Sequence, residues 1–307
     1  MNILIAGATG LIGRGLVHTL KQHHQLTVLG RDKKKLAQAF PEHVTLLTWD
    51  ELNKIDAKHY EVIINLCGHN IAASRWTEAV KQKLITSRME TSTTLINWAI
   101  THQAKPRFFC ANAVGIYGIQ QNGDPHAFDE NSLVDLQSED FLSEIGIRWQ
   151  QPLQQAIDYG MQVITLRFGV VLKHNEGMLK KLMPSFKFGL GAIVGDGQQV
   201  ISWVDIHDVT SAVNFLLERP QLTGPFNITS PNPVSQKEFA QTLAKLINRP
   251  LILKMPALAI KLLFGEMGYY LLLRGQRVLP TRLQQEGYQF SYPNVDDALR
   301  VEVCNKH

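Results

Sequence analysis

The sequence predicts a doubly wound, Rossmann-type α/β sheet with a smaller C-terminal lobe. Three observations carry that expectation. A strand, a glycine turn and a helix open the chain; apolar runs alternate with helical patterns as far as Phe168; and the alternation loosens after Gly169. The opening unit is the most specific. Asn2-Ile3-Leu4-Ile5-Ala6 reads as a buried strand, Gly7-Ala8-Thr9-Gly10-Leu11-Ile12-Gly13 as the turn, and Arg14 to Lys21 as the helix. Gly7 permits a sharp turn, Gly10 lets backbone approach a diphosphate, and Gly13 lets helix and strand pack closely. The helix N-terminus then directs free N–H groups and partial positive charge at the anion. Gly7, Ala8, Thr9, Gly10, Leu11 and Ile12 are the expected dinucleotide-binding residues.

Further strands are expected at Leu26-Thr27-Val28-Leu29, Val44-Thr45-Leu46-Leu47, Val62-Ile63-Ile64-Asn65-Leu66, Arg107-Phe108-Phe109-Cys110-Ala111 and Gln162-Val163-Ile164-Thr165-Leu166. Helical patterns fill 77–99 and 138–159. Continuous apolar strands alternating with helices imply six or seven parallel strands, covered on both faces. Later helices are expected at 208–218 and 235–247. The glycine-punctuated stretch 178–194 suits a cap over the cofactor mouth. The division expected is 1–168 (dinucleotide-binding, with strands added by later segments), 169–249 (bridging) and 250–307 (a small C-terminal module).

Composition narrows the function. The 307 residues are 45% hydrophobic and 19% charged, with a formal net charge of +4, as in an ordinary globular protein. The basic residues form one short cluster, Arg31-Asp32-Lys33-Lys34-Lys35, rather than the stripe of a nucleic-acid binder. Cys67, Cys110 and Cys304 form no CxxC pair, which points to reduced thiols and a cytoplasmic setting. The apolar stretch 256–273 is interrupted by Lys261 and Glu266 and reads as a core or interface helix, not a membrane span. The histidines show no metal-ligand spacing, so no metal site is expected.

The end of the second strand selects the cofactor. Dinucleotide folds that prefer NAD place an acid there for the ribose 2′-hydroxyl. Here Gly30 is followed by Arg31, whose guanidinium suits a 2′-phosphate. Asp32 is the competing ribose acceptor. NADP is the expected cofactor, with NAD as the alternative. Leu66, Cys67 and Gly68 end the fourth strand, and Gly68 lets the chain turn close to the ligand.

Several stretches together carry a family resemblance: the glycine turn, Asn70-Ile71-Ala72 with Arg75-Trp76-Thr77, Ser87-Arg88, Ala113-Val114-Gly115-Ile116-Tyr117-Gly118, Leu166 to Leu172, and Ser202-Trp203-Val204-Asp205-Ile206-His207-Asp208. At the C-terminal end, Gly265-Glu266-Met267 and Gly275-Gln276-Arg277-Val278-Leu279-Pro280 extend it. The chain resembles the extended short-chain dehydrogenase/reductases, the NAD-dependent epimerase/dehydratase superfamily, and within it the YfcH-like epimerase branch with its C-terminal domain of unknown function. The resemblance spans the whole chain. It implies a Ser/Thr after the fifth strand and a Tyr-x-x-x-Lys on the next helix as proton-transfer groups. This sequence departs from that pattern: Ala113 stands at the serine position, Leu142 at the tyrosine and Gly146 at the lysine.

Substitute candidates are Asn112, to orient a carbonyl, and Tyr117, to donate a proton. Glu144 reads as a solvated helix carboxylate. Arg75, Trp76 and Arg88 are candidate substrate residues for an anionic or ring-bearing molecule, although Arg75 equally suits pinning its loop. Arg167 is expected beside the cofactor. Asp208 reads as a helix cap and structural acceptor. Three functions are compatible with this pattern: an NADP(H)-dependent oxidoreductase on a small, anionic substrate; a catalytically silent NADP(H)-binding sensor or docking protein; or an epimerase/dehydratase with relocated acid and base. The family resemblance also suggests a homodimer.

Overall fold

The computed structural model describes residues 1–40, 43–137 and 140–304. Its centre is a sheet of seven strands: β1 (Asn2–Ala6), β2 (Gln25–Gly30), β3 (Thr45–Thr48), β4 (Val62–Asn65), β5 (Arg107–Ala113), β6 (Val163–Phe168) and the late strand Gly224–Ile228. From the late strand the order runs through β6, β5, β4, β1 and β2 to β3, and every pairing is parallel. The strand order reverses between β1 and β4. That switch point opens a crevice at the strands' carboxyl ends.

The helices of this half are α1 (Leu11–Leu20), α2 (Lys33–Ala39), α3 (Glu78–Thr101), α4 (Phe141–Gln150) and α5 (Leu153–Asp158). Ile3, Leu4 and Ile5 of β1 and Val62, Ile63 and Ile64 of β4 are fully buried, as a sheet covered on both faces requires. The single helix expected over 138–159 is two helices, because Pro152 separates them and has no N–H to continue the ladder. Its expected start, 138–139, lies outside the described residues.

The later chain supplies α6 (Gly177–Lys187), α7 (Ile206–Leu217), α8 (Gln236–Leu246), α9 (Ala257–Leu272), α10 (Thr281–Gln285) and α11 (Val295–Cys304). Short strands pair within it: Leu253–Met255 runs parallel to Ala192–Val194. A second apolar cluster, built on Trp203, Phe239, Leu243 and Leu299, forms the core of this lobe.

The region after Pro250 is stitched into the rest of the molecule. Gln120 bridges to Gly275 and Phe128 to Val278. Arg75 donates to the carbonyls of Leu262 and Leu263, and Lys81 pairs with Glu266 at 2.8 Å. Helix α9 kinks at Gly265, whose φ of +61° and ψ of −142° favour glycine.

One expectation about α7 needs correcting. Its N-cap is Asp205, whose Oδ1 accepts from the His207 N–H at 2.8 Å. Asp208 lies inside the first turn. It is a buried structural acceptor, taking bonds from the Tyr288 hydroxyl and the N–H groups of Ser291 and Tyr292.

Candidate functional site

A cleft of about 520 Å3 lies at the carboxyl ends of β1, β2 and β4. The glycine turn forms its floor. Gly7 has φ +79°, and a Cβ there would meet the Leu66 carbonyl carbon at 2.8 Å and the Cys67 nitrogen at 2.9 Å. The turns leaving β1 and β4 therefore touch, and Leu66, Cys67 and Gly68 line the cleft beside Gly7, Thr9 and Gly10. A Cβ on Gly13 would come within 2.6 Å of Ala8 Cα and the Gly7 oxygen, so α1 begins hard against the strand. Ala8 is buried behind the turn, while Gly10 caps α1 without a side chain and the first turn holds no acid. The N–H groups that open α1 at Leu11 and Ile12 thus meet no acidic side chain of their own turn.

The two candidate selectors after β2 separate. Asp32 is the N-cap of α2 and accepts from the Lys34 and Lys35 N–H groups at 3.0 and 3.2 Å. Lys33 pairs with Glu51 at 2.9 Å, which together with the Thr48 N–H holds that carboxyl down at about 2. Arg31 lines the cleft and has no hydrogen-bond or ion-pair partner among the described residues. Trp49, following β3, adds an aromatic wall on the same side.

The structure also brings in cleft residues that the sequence reading missed. Lys83, Ser87 and Thr91 face the cleft from α3, together with His69 and Asn70. The Ser87 hydroxyl accepts from the His69 N–H at 3.0 Å and fixes the loop after β4. The signal was present: a polar residue every four positions on one helix describes one face.

Other candidates are engaged elsewhere, and their expected roles are corrected. Tyr117 is 6% exposed; its hydroxyl donates to Asn227 Oδ1 at 2.9 Å and accepts from Arg167 Nη1 at 2.7 Å. Burial, the largest influence, pushes this phenol above its usual range. It is a cross-brace, not a proton donor at the cleft. Arg167 belongs to the same network, with Nη2 on Gln150 at 3.3 Å, so it stands away from the cofactor cleft. Asn112 is 2% exposed and ties β5 to α4 through the Gly146 carbonyl at 3.0 Å. Gly146 itself is a contact point: a Cβ there would lie 2.7 Å from Ile116 Cβ and 2.9 Å from its Cα. Leu142, in turn, packs over Gly115.

Of the proposed substrate residues, Arg75 pins the loop after β4 to α9. Trp76 is buried between Phe141 and Tyr270, with ring centroids at 4.9 and 5.9 Å. Arg88 lies beneath Gly68 and stacks on Trp149 at 4.6 Å. Burial lowers its guanidinium to about 10. Burial also pushes the Cys67 and Cys110 thiols up to about 12.

The second lobe closes over the glycine turn. Arg14 bonds both the Thr9 carbonyl and the Glu176 carboxylate, and a Cβ on Gly177 would touch Leu11 at 3.2 Å. Lys181 of α6 donates to the Ala72 carbonyl at 2.8 Å. Of the stretch 178–194, Lys181 reaches the loop after β4, and none of its residues lines the cleft.

Residues 3–229 match the NAD dependent epimerase/dehydratase family. The chain belongs to that family. Residues 255–301 match a domain of unknown function, DUF1731. Among its relatives, Epimerase family protein Mb2239 of Mycobacterium bovis is 35% identical over 97% of this chain and 96% of its own length. Epimerase family protein YfhF of Bacillus subtilis is 33% identical over 100% and 99%. The crystal structure of human epimerase family protein SDR39U1 (isoform 2) with NADPH superposes at a TM-score of 0.88, with 29% identity and 100% of each chain covered. Leu142 and Gly146, where the family resemblance puts the Tyr and Lys, pack against Gly115 and Ile116. Among its described residues, no helix is long and apolar enough to cross a membrane, and none of the His, Cys, Asp and Glu clusters could hold a metal.

Proposed function

We propose that this protein binds NADP(H) in the crevice between β1 and β4 and acts as an NADP(H)-dependent oxidoreductase on a small carbonyl compound. The residues fit the group. The N–H groups from Gly7 to Ile12 would receive the diphosphate, the Arg31 guanidinium would receive the 2′-phosphate, and Leu66, Cys67 and Gly68 would line the groove that holds the dinucleotide. When bound, the dinucleotide supplies or accepts hydride. The observation that carries this reading is the division of labour after β2: Asp32 is occupied as a helix cap, which leaves Arg31 as the group facing the adenosine end. The NADPH held by human SDR39U1 supports the same cofactor.

Within the cleft, His69 and Lys83 carry transferable protons on the β4 side of the crevice. They take the place of Tyr117 in the proton-transfer role. Titrating NADPH and NADH into the wild type and Arg31→Ala tests the cofactor reading. The expectation is a wild-type preference for NADPH that falls about tenfold in the variant, with NADH binding unchanged; one charge-assisted bond at an exposed site is worth about 1.5 kcal/mol. Equal affinities for both nucleotides in both proteins would remove the reading.

A second reading, a silent NADP(H)-binding sensor, is favoured by one observation: Leu142 and Gly146 pack where proton-transfer groups would stand. Stereospecific loss of one C4 hydrogen of NADPH with any aldehyde, ketone or quinone would exclude it.

A further inference from the structure

The C-terminal lobe holds a separate pocket of about 190 Å3, equivalent to about six water molecules at liquid density. It shares no lining residue with the dinucleotide cleft. Two buried amide oxygens in its wall, Asn122 Oδ1 and Gln199 Oε1, have no hydrogen-bond partner. Their orientation is dictated by their neighbours. The Gln199 amide nitrogen faces two carbonyls, Val194 at 3.1 Å and Leu272 at 2.7 Å, and Gln199 is only 3% exposed. The Asn122 amide nitrogen faces both oxygens of Asp196, at 3.0 and 3.1 Å. Acceptors on that side oblige each NH2 group to point there, so each amide oxygen must point away. An unsatisfied buried acceptor costs about 1–3 kcal/mol, and two of them in one wall call for a molecule that donates.

The same wall carries two cations with donors to spare. Arg274 donates through Nε to the Tyr269 hydroxyl at 3.1 Å and lies 5.1 Å from its ring centroid, while Lys261 Nζ stands 5.0 Å from the same centroid. Neither guanidinium nitrogen Nη1 or Nη2 of Arg274, nor the Lys261 ammonium, makes a hydrogen bond among the described residues. Asp196 is the opposing charge, and its oxygens already accept from Asn122 and the Gln198 N–H. The Gln198 N–H chiefly, and Arg274 in addition, hold the Asp196 carboxyl below its usual range. A cationic donor would meet both Lys261 and Arg274, whereas a hydroxylated molecule with an anionic group satisfies both the oxygens and the two cations.

We propose that this pocket binds a small hydroxylated anion. Neighbouring hydroxyls donate to Gln199 Oε1 and Asn122 Oδ1, and a carboxylate or phosphate of the same molecule lies between Lys261 and Arg274. Both amide oxygens are closed to solvent, so a ligand hydroxyl reaches them as the two amides tilt while their NH2 groups keep Asp196, Val194 and Leu272. A second, more open pocket on α9 shares Lys261 and Tyr269 with this one and reaches Glu266 and Tyr270, which touch the dinucleotide half through Lys81 and Trp76.

Calorimetry on the full chain tests the proposal with gluconate and glucose 6-phosphate, one for each source of the anionic group. Sorbitol, acetate and inorganic phosphate serve as controls. The expected result is binding of at least one hydroxylated anion at about 1 mM or tighter, identifying which anionic group the pocket takes, with no comparable binding by any control. Lys261→Gln, Arg274→Gln and Asn122→Ala, at exposed or half-exposed positions, should each weaken it about tenfold while leaving NADPH affinity unchanged. That last readout separates this proposal from the dinucleotide reading. Absence of binding by both anions at about 10 mM, a control that binds as well, or variants that bind as the wild type does would each overturn it.

Discussion

Gly10 and Gly13 sit three residues apart in one turn, yet the structure assigns them different work, and Gly10→Ala separates the two. Gly10 has φ −72° and ψ 172°, an extended conformation open to any residue, and an added Cβ would lie 3.4 Å from the Gly7 oxygen, an ordinary contact. Replacing a glycine N-cap by alanine costs at most about 1 kcal/mol, a melting shift of about 2–4 °C for a protein of this size. The methyl group would nevertheless stand where the backbone meets the diphosphate. Losing one charge-assisted N–H bond there is worth about 1.5–3 kcal/mol, or about a ten- to hundredfold rise in the NADPH dissociation constant. Gly13→Ala behaves in the opposite way. Its Cβ would collide at 2.6 Å with backbone atoms of Gly7 and Ala8, which cannot rotate aside. The overpacking costs about 1–3 kcal/mol and exceeds the gain in helix propensity of about 1 kcal/mol. Thermal unfolding and a fluorescence titration with NADPH, run on the same preparations, read both effects. If Gly10→Ala binds NADPH as the wild type does, close backbone approach is not how this turn holds a diphosphate.

Gly146→Ala should destabilise the protein by about 1–3 kcal/mol, because its Cβ meets Ile116 Cβ at 2.7 Å; chemical denaturation measures this. The same contact means that Leu142→Tyr with Gly146→Lys gives no working acid/base pair, as turnover assays would show. Asp205, 1% exposed and close to Glu302, has its carboxyl raised from 3.8 to about 8, chiefly by burial. The folded state therefore keeps a proton that the unfolded chain releases, and stability falls as pH rises between those two values. Asp205→Asn retains the oxygen that caps His207 and should flatten that slope in melting curves taken from pH 5 to pH 8. Thiol labelling near pH 8 should modify Cys304 rapidly and Cys67 very slowly, since burial pushes the Cys67 thiol up to about 12 whereas Cys304 is exposed; mass spectrometry of the native protein distinguishes them.

Much of the fold was legible because its determinants are local. The runs at 2–6, 62–66 and 107–111 are apolar over the length of a strand, and each forms a central strand of the sheet. In the glycine turn, Gly7 and Gly13 make the close approaches, to Leu66 and Cys67 and to the Gly7 and Ala8 backbone, whereas Gly10 makes an ordinary contact. Side-chain destinations were harder to read because they depend on partners far along the chain. Arg75 meets carbonyls 187 and 188 residues away, and Tyr117 meets Asn227 after 110 residues. An arginine beside a tryptophan looks the same in sequence whether it faces a ligand or a helix from the other lobe. The missing Tyr-x-x-x-Lys is the informative middle case. The family resemblance puts Leu142 and Gly146 at those two positions, and the structure shows what these residues do there. The Gly146 carbonyl accepts from Asn112, and the absence of a side chain lets α4 press against Ile116. The helix that would carry a proton-transfer pair instead braces the end of β5, while the opposite wall of the crevice carries His69, whose backbone N–H is held by Ser87, and Lys83, one helical turn before Ser87.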